Sequence, residues 1–228
     1  MSIRIVLVDD HGIVRAGLVA LLQREQDFEL VGEAEDGLSA VRLTRKLQPD
    51  VLVTDISMPG MNGIEAIRRI HAEQPKVRSI CLSMHKDNSM VLAVIDAGAM
   101  GYVMKHCSYN ELVSAIRKVM SNQIYMSAEL VGIVVEKYRN RHLTKQQPDA
   151  FSLLTPRERE LVQLFSEGYS TNQIAVRLSV STKTVATHRQ HILQKLGING
   201  IAELTRYALR EGLSTLDSPT AAMPAPSQ

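Results

Sequence analysis

The stretch IRIVLVDDH, residues 3–11, decides the fold of the N-terminal half of this 228-residue chain. A short apolar run ends at two adjacent carboxylates, which is typical of a buried parallel strand whose end reaches solvent. Three further apolar runs end in the same way, each at one polar side chain: Asp55, Ser83 and Lys105. Helical patterns fill the intervals, so this half is predicted to alternate strands and helices.

The alternation predicts a doubly wound, flavodoxin-like α/β domain with five parallel strands. The apolar runs place the strands at residues 3–8, 30–34, 51–55, 77–83 and 101–104. Predicted helices follow the strands, and the last one opens at Ser108, where Glu111 has the spacing of a capping box. Five such βα units make a three-layer domain of usual size.

The polar residues at the strand ends predict a single site. Ligands of an open parallel sheet bind outside the carboxyl ends of its strands. We therefore expect one crevice to hold Asp9, Asp10, Asp55, Ser83 and Lys105. Clustered carboxylates repel one another, and a bound hard cation relieves the repulsion. Each residue alone has an ordinary explanation, such as a helix cap, but the set predicts a magnesium-type site around one aspartate.

The C-terminal part is predicted to be a small all-α domain. Thr155 with Glu158, and Ser170 with Gln173, have capping-box spacing. A short turn then leads into a helix predicted at Thr182–Leu196, which predicts a helix-turn-helix. A last helix is predicted at residues 201–211, and its apolar stripe either closes the domain core or contributes to a dimer contact.

The helix Thr182–Leu196 is predicted to read DNA. Val185, Ile192 and Leu196 form one apolar stripe at 100° per residue. The opposite side carries residues that can contact phosphates or base edges in the major groove. The candidate DNA contacts are Lys183, Thr184, Ala186, Thr187, His188, Gln190, His191, Gln194 and Lys195.

Composition and charge divide the chain into four parts. We expect a first domain at residues 1–122, a linker with a helix at 123–150, a second domain at 151–213, and a disordered tail at 214–228. The first domain carries 14 basic and 15 acidic residues, whereas residues 151–212 carry 8 and 5. The excess of positive charge in the second domain permits a polyanionic partner.

Other features exclude several protein classes. No run approaches the ~18 apolar residues of a membrane span, and the first strand begins too early for a signal peptide, so we expect a cytoplasmic protein without a membrane partner. Cys81 and Cys107 match no disulfide framework or metal motif. The seven histidines lack ligand spacing, so no zinc site is expected.

The N-terminal part resembles a bacterial response-regulator receiver domain. The resemblance is carried by IVLVDDH at 5–11, DISMPGMNG at 55–63, LS at 82–83 and GYVMK at 101–105. It implies that Asp55 accepts a phosphoryl group from a sensor histidine kinase, without the chain being a dedicated enzyme.

The same resemblance assigns roles to the neighbouring residues. It implies an Mg²⁺ site formed by Asp10, Asp55 and the backbone carbonyl of Ser57, with Asp9 contributing through water. Lys105 would pair with one phosphoryl oxygen, and Ser83 would hydrogen-bond another. Tyr102, expected to be partly buried, would report the switch state.

The C-terminal part resembles the LuxR-type DNA-binding domain of NarL/FixJ-type regulators. The resemblance is carried by LTPRE at 154–158, GYS at 168–170, IA at 174–175 and TV at 184–185. The family usually has a lysine where this chain has Ala186, so the target sequence cannot be carried over. Together the two resemblances imply a two-component response regulator that controls transcription. Its partners would be a sensor histidine kinase, double-stranded promoter DNA, a second copy of itself on phosphorylation, and RNA polymerase.

Three other functions fit parts of the sequence. A phosphatase with an aspartyl-phosphate intermediate uses similar residues, but the haloacid-dehalogenase pattern needs Asp-x-Asp on strand one, and here Asp9 and Asp10 are adjacent. A ligand-sensing LuxR-type activator leaves the acidic crevice unexplained. A receiver that is never phosphorylated is disfavoured by the complete set of acidic residues, serine and lysine.

Overall fold

The structure is a computed structural model that describes residues 2–84, 86, 88–140, 153–211 and 213–214. The chain forms two compact units, residues 1–146 and 147–228, which are described separately below. The predicted linker beyond residue 140, and the predicted disordered tail apart from Ser214, lie outside the described residues.

The first unit contains one parallel sheet. Its strands are β1 Ile3–Val8, β2 Phe28–Ala34, β3 Val51–Asp55, β4 Arg78–Ser83, β5 Gly101–Met104 and β6 Tyr125–Met126. The strand order is β2-β1-β3-β4-β5-β6, and all neighbouring pairs are parallel. The order reverses beside β1, which is the arrangement expected of a doubly wound sheet.

Helices alternate with these strands. They are α1 Gly12–Leu22, α2 Gly37–Leu47, α3 Gly63–Glu73, α4 Asn88–Asp96, α5 Tyr109–Met120 and α6 Ala128–Asn140. Three begin at side-chain caps: Asp36 accepts from the Ser39 amide, Asn62 from Glu65, and Ser108 from Glu111. These caps are local, which is why the sequence predicts the starts of these helices closely.

The central strands β3, β4 and β5 are buried along almost their whole length because helices cover both faces of the sheet. On one face, Ile5, Leu7, Val53 and Leu82 pack with residues of α5 in a buried cluster. The residues between them, including Val6, are also fully buried. Continuous apolar runs are therefore required, as expected for a parallel sheet covered on both sides.

The five predicted strands are confirmed, but the prediction of a five-stranded sheet was one strand short. The sixth strand, β6, has two residues, and no periodic pattern marks it. It forms because the chain leaving α5 runs along β5, where the Tyr125 amide donates to the Met100 carbonyl at 2.9 Å and the Ser127 amide to Tyr102 at 3.0 Å. These hydrogen bonds form only when the folded domain places residues 125–127 beside β5, so a short-range sequence pattern cannot predict them.

The second unit is helical, as predicted. Its helices are α7 Pro156–Ser166, α8 Thr171–Arg177, α9 Thr182–Leu196 and α10 Ile201–Arg210. Both predicted capping boxes are present, at Thr155 and Ser170, and Ser181 caps α9. A short turn with Ser179 at a positive φ of 54° joins α8 to α9, and Gly197 ends α9 in the left-handed region.

The core of this unit is made by the apolar faces of its helices. Val185 and Ile192 of α9 are fully buried with Leu164 of α7 and Leu204 of α10. Ile201 at the start of α10 is 40% exposed, so the stripe of this helix is only partly used by the core. In the part of the chain that the structure describes, no helix is both long and apolar enough to cross a bilayer.

Candidate functional site

The carboxyl ends of β1, β3, β4 and β5 place the predicted polar residues at one edge of the sheet. The register pairs Asp55 of β3 with Leu82, and Ser83 of β4 with Met104. The Lys105 amide donates to the Ser83 carbonyl at 2.8 Å. The structure therefore brings together the aspartates, the serine and the lysine that the strand pattern predicts in one crevice.

Lys105 connects the two innermost carboxylates. Its Nζ lies 2.7 Å from Asp55 Oδ2 and 2.9 Å from Asp9 Oδ2. The lysine side chain is 13% exposed, whereas that of Asp9 is fully buried and that of Asp55 is 3% exposed. One ammonium thus lies within ion-pair distance of two buried carboxylates and offsets part of their mutual repulsion.

Burial and the neighbouring charges have opposite effects on the pKa values of Asp55 and Lys105. Burial raises the pKa of the Asp55 carboxyl, and the attraction of Lys105 only partly opposes that rise. Burial would lower the pKa of Lys105, but Asp55 and Asp9 more than offset it, so the pKa of the lysine is raised. Lys105 is therefore held in its charged form by the carboxylates that it faces.

The acidic residues have oxygen atoms available for a cation. Among the described residues, Asp9 Oδ2 and Asp10 Oδ1 are buried without a well-aligned hydrogen-bond donor, although Lys105 Nζ lies close to the first and His11 Nδ1, at 2.8 Å, to the second. Ligand atoms of Asp9, Asp10, His11 and Asp55 all lie within 4.8 Å of one another. Carboxylate oxygens at this density fit a hard divalent cation such as Mg²⁺.

The loop after β3 holds Asp55 against the site. The Ser57 amide hydrogen-bonds the Asp55 carboxylate, and the Gly63 amide donates to Ile56 at 2.9 Å. A Cβ at Gly63 would lie 2.0 Å from the backbone oxygen of Asp55. Glycine is therefore required for close approach of α3 to β3, beyond the turn chemistry that the sequence suggests for this residue.

Ser83 and Tyr102 are both 1% exposed, so Tyr102 is more deeply buried than the sequence predicts. Ser127, directly after β6, donates to Glu111 Oε1 at 2.6 Å and accepts from the Met104 amide at 3.3 Å. The Ser108 half of the predicted capping box is present. The Glu111 side chain bonds Ser127 instead of closing the box, because this buried hydroxyl lies within its reach.

Glu129 of α6 links two loops of the site, a contact that the sequence does not predict. Its carboxylate pairs with Lys86 in the loop after β4 and lies 3.1 Å from His106 Nε2 in the loop after β5. The hydrogen bond from Lys86 is the main reason that the pKa of Glu129 is lowered. The helix that follows the sheet is thus joined to the loops that follow Ser83 and Lys105.

The predicted DNA-reading face of α9 is open to solvent within its own unit. Exposed side chains are Lys183, Thr184, Ala186, Thr187, Gln190, His191 and Gln194, and His188 is half-buried. The buried residues of the same helix, Val185 and Ile192, lie on the opposite side. This arrangement leaves a mostly polar helix face free for a groove.

Lys195 differs from the other candidate DNA contacts. Its Nζ lies 2.7 Å from both carboxylate oxygens of Glu158, which is almost fully buried at the start of α7. Burial alone would raise the pKa of Glu158, but hydrogen bonds from Lys195 and Thr155 lower it on balance. The ammonium therefore ties α9 to α7 through a pair 37 residues apart in sequence.

Both units match known domain families. Residues 5–117 match the family described as response regulator receiver domain. Residues 152–208 match the family described as bacterial regulatory proteins, luxR family. The matched segments contain every residue of the acidic crevice and the whole of α9.

Relatives match this chain along nearly the whole of their own length. The oxygen regulatory protein NreC of Staphylococcus carnosus is 36% identical over 213 residues, which cover 92% of this chain and 98% of the relative. The transcriptional regulatory protein DegU of Brevibacillus brevis is 34% identical over 223 residues, with 92% and 94% covered.

Solved structures agree with these relatives. A LuxR-family two-component response regulator from Aurantimonas sp. SI85-9A1 is 37% identical with a TM-score of 0.58, covering 61% of this chain and 99% of its own. The response regulator RcsB in complex with DNA is 28% identical with a TM-score of 0.57, covering 92% and 99%. The chain therefore belongs to the NarL/FixJ-type two-component response regulators, DNA-binding transcription regulators that join a receiver domain to a LuxR-type helix-turn-helix domain.

Proposed function

We propose that Asp55 accepts a phosphoryl group from a sensor histidine kinase in the presence of Mg²⁺, and that this phosphorylation controls promoter binding. The observation that carries the proposal is the Lys105 ammonium, held 2.7 Å from Asp55 beside two further aspartates. A cation so placed can pair with a phosphoryl oxygen once the carboxylate is phosphorylated. We also propose residues 1–122 as the receiver domain, 123–150 as linker, 151–213 as the DNA-binding domain and 214–228 as a disordered tail.

The transfer needs no further protein nucleophile. A carboxylate oxygen of Asp55 forms the bond to phosphorus while the bond from phosphorus to the imidazole nitrogen of the donor breaks, and that nitrogen keeps the electron pair. Mg²⁺ held by Asp10, Asp55 and the Ser57 carbonyl, with Asp9 contributing through water, would neutralise the charge of the transferring group. Lys105 would pair with one phosphoryl oxygen, and the Ser83 hydroxyl would bond another.

The loops and linker offer a route for the signal. Ser83 and Lys105 are each followed by a loop, and Lys86 and His106 in these loops pair with Glu129 of α6. A shift of either loop on phosphorylation would change this contact, with buried Tyr102 reporting the change. We propose that the resulting change in the linker favours a homodimer that binds double-stranded promoter DNA through α9 and so acts on RNA polymerase.

The relatives support this outcome. RcsB has been solved with DNA, and a further structure, 28% identical with a TM-score of 0.57, describes two RcsB dimers bound to two parallel DNAs. In this chain, the exposed polar face of α9 supplies the groove-facing side chains.

The proposal is tested by phosphorylation of the full-length chain with a small phosphodonor and Mg²⁺. We expect one acid-labile phosphoryl group, seen as a mass increase, and its loss in Asp55→Asn, because an amide is a poor nucleophile and a poor metal ligand. Asp96→Asn, an exposed aspartate at the end of α4, is the matched control and should be labelled like the wild type. Stoichiometric labelling of Asp55→Asn would show that another residue is the acceptor.

A further inference from the structure

We propose that His11 gives the acidic centre a nitrogen ligand, so that the centre binds transition-metal ions that prefer imidazole, such as Ni²⁺ and Zn²⁺, in competition with Mg²⁺. This inference rests on the metal centre of the proposed function and adds a ligand to it. The sequence alone does not suggest it, because the seven histidines show no ligand spacing.

The geometry that carries the inference is the direction of the His11 side chain. The His11 amide donates to Asp9 Oδ1 at 2.9 Å, which fixes the backbone at the start of α1. The imidazole then folds back over the acidic pair, with Nδ1 2.8 Å from Asp10 Oδ1 and 3.4 Å from Asp9 Oδ1. A nitrogen atom thus lies among oxygens whose residues include Asp55, all within 4.8 Å of one another.

Two observations indicate that this cluster can accept an ion. Asp10 Oδ1 is a buried oxygen without a well-aligned hydrogen-bond donor among the described residues, and the nitrogen that faces it is His11 Nδ1 at 2.8 Å. His11 is 58% exposed, so its ring can turn by small rotations without breaking core packing. A buried carboxylate oxygen and a movable imidazole on one rim can close around a cation that enters from solvent.

The donor set decides which ion is favoured. Mg²⁺ and Ca²⁺ take oxygen ligands and gain little from imidazole, whereas Ni²⁺, Cu²⁺ and Zn²⁺ bind imidazole well. Carboxylates alone already bind Ni²⁺ more tightly than Mg²⁺, so tight Ni²⁺ binding by itself proves nothing about His11. The distinctive expectation is that removal of the imidazole weakens Ni²⁺ binding and leaves Mg²⁺ binding unchanged.

The experiment is a calorimetric titration of the full-length protein with Ni²⁺ and, separately, Mg²⁺ at a fixed neutral pH. His11→Asn keeps a polar side chain of similar reach but removes the imidazole. We expect it to weaken Ni²⁺ binding by at least about tenfold, since loss of groups that only support a ligand already costs 10–100-fold. Its Mg²⁺ affinity should stay within about twofold of the wild type.

Two further arms locate the ion. His71→Asn changes an exposed histidine in the last turn of α3 and serves as the matched control, which should bind both metals like the wild type. A large excess of Mg²⁺ should lower the apparent Ni²⁺ affinity of the wild type, because both ions need Asp10. Asp10→Asn should weaken both metals.

The outcomes separate this inference from the proposed function. Equal Ni²⁺ affinity in the wild type and His11→Asn, with normal Mg²⁺ binding, would overturn the role of His11 and leave the magnesium centre standing. Ni²⁺ affinity that is unchanged in Asp10→Asn would also overturn it, because the ion would then lie elsewhere. Failure of the wild type to bind Mg²⁺, with Ni²⁺ binding still dependent on His11, would count against the magnesium centre alone.

Discussion

Replacement of Lys105 by methionine tests the central feature of the receiver domain, the single ammonium shared by two buried carboxylates. Methionine keeps most of the volume of the side chain and removes its charge. Without the ammonium, Asp9 and Asp55 would face each other with only repulsion between them. Removal of one partner of a buried ion pair typically costs about 3–5 kcal/mol, against at most about 1 kcal/mol for an exposed pair. The lysine is 13% exposed and its partners at most 3%, so the larger range applies in metal-free buffer.

Mg²⁺ should reverse much of this loss. The cation would replace the missing positive charge, and the ammonium that competes with it in the wild type would be gone. At a Mg²⁺ concentration about one hundred times the Kd, binding to the folded state stabilises it by about 2.7 kcal/mol. We therefore expect Mg²⁺ to stabilise Lys105→Met clearly more than it stabilises the wild type.

Native-state hydrogen exchange of the amides of β1 and β3 measures this effect, because it reports the stability of the receiver core within the full-length chain. Lys46→Met, at an exposed position in the last turn of α2, is the matched control and should stay within about 0.5 kcal/mol of the wild type. A loss below about 1 kcal/mol in Lys105→Met would refute the buried-pair argument. Equal stabilisation of the wild type and Lys105→Met by Mg²⁺ would refute competition between ammonium and metal.

Three further predictions concern single residues of the two units. Burial raises the pKa of Asp55, so the charged carboxylate destabilises the folded state. This destabilisation is absent below the unfolded pKa of about 3.9, where the carboxyl is protonated in both states, and it is complete once the pH has risen through the folded pKa. Asp55→Asn should therefore raise the free energy of unfolding in urea at neutral pH, with the gain disappearing near about pH 4; an equal gain at both pH values would contradict this reasoning. Lys195→Met should lower the stability of the second unit by about 1–2 kcal/mol. The loss is smaller than for a fully buried ion pair because Glu158 keeps its bonds with Thr155 and the lysine is half-exposed. Hydrogen exchange of the amides of α7 measures the loss, and an unchanged exchange rate would show that the ion pair does not stabilise the unit. Gln190→Ala should relax specificity at one base position by roughly 1–3 kcal/mol, whereas Lys183→Ala should weaken binding to all DNA sequences alike and reduce the salt slope by about one unit. Binding to a randomised half-site at two salt concentrations distinguishes the two variants. If Gln190→Ala weakened binding to every sequence equally, this residue would not read a base.

Local signals account for the features that the sequence predicts well. Apolar runs without alternation locate β1, β3 and β5 to the residue, and caps such as Thr155 and Ser181 fix helix starts. The acidic crevice is predictable for a related reason, since the ends of parallel strands must meet at one edge.

Features that depend on distant partners escape the sequence. The Lys195–Glu158 pair joins residues 37 positions apart, so the sequence predicts Lys195 as a DNA contact and gives no sign of its ion pair with Glu158. The sequence predicts Glu111 as half of a capping box, because the Ser127 hydroxyl that it bonds comes close only once β6 has formed. His11 stands directly after the two aspartates, but its ring direction depends on the backbone of the α1 start.

The short strand β6 also protects the sheet from which it extends. An uncovered sheet edge presents unpaired amide and carbonyl groups that recruit strands from other molecules. Here the chain leaving the domain satisfies the carbonyls of Met100 and Tyr102, and Ser127 accepts from the Met104 amide. A recombinant fragment that ends at residue 122 would leave these backbone groups of β5 unpaired and would be expected to self-associate. A fragment that continues through α6 carries its own edge cover, and it is the better choice for solution work at high concentration.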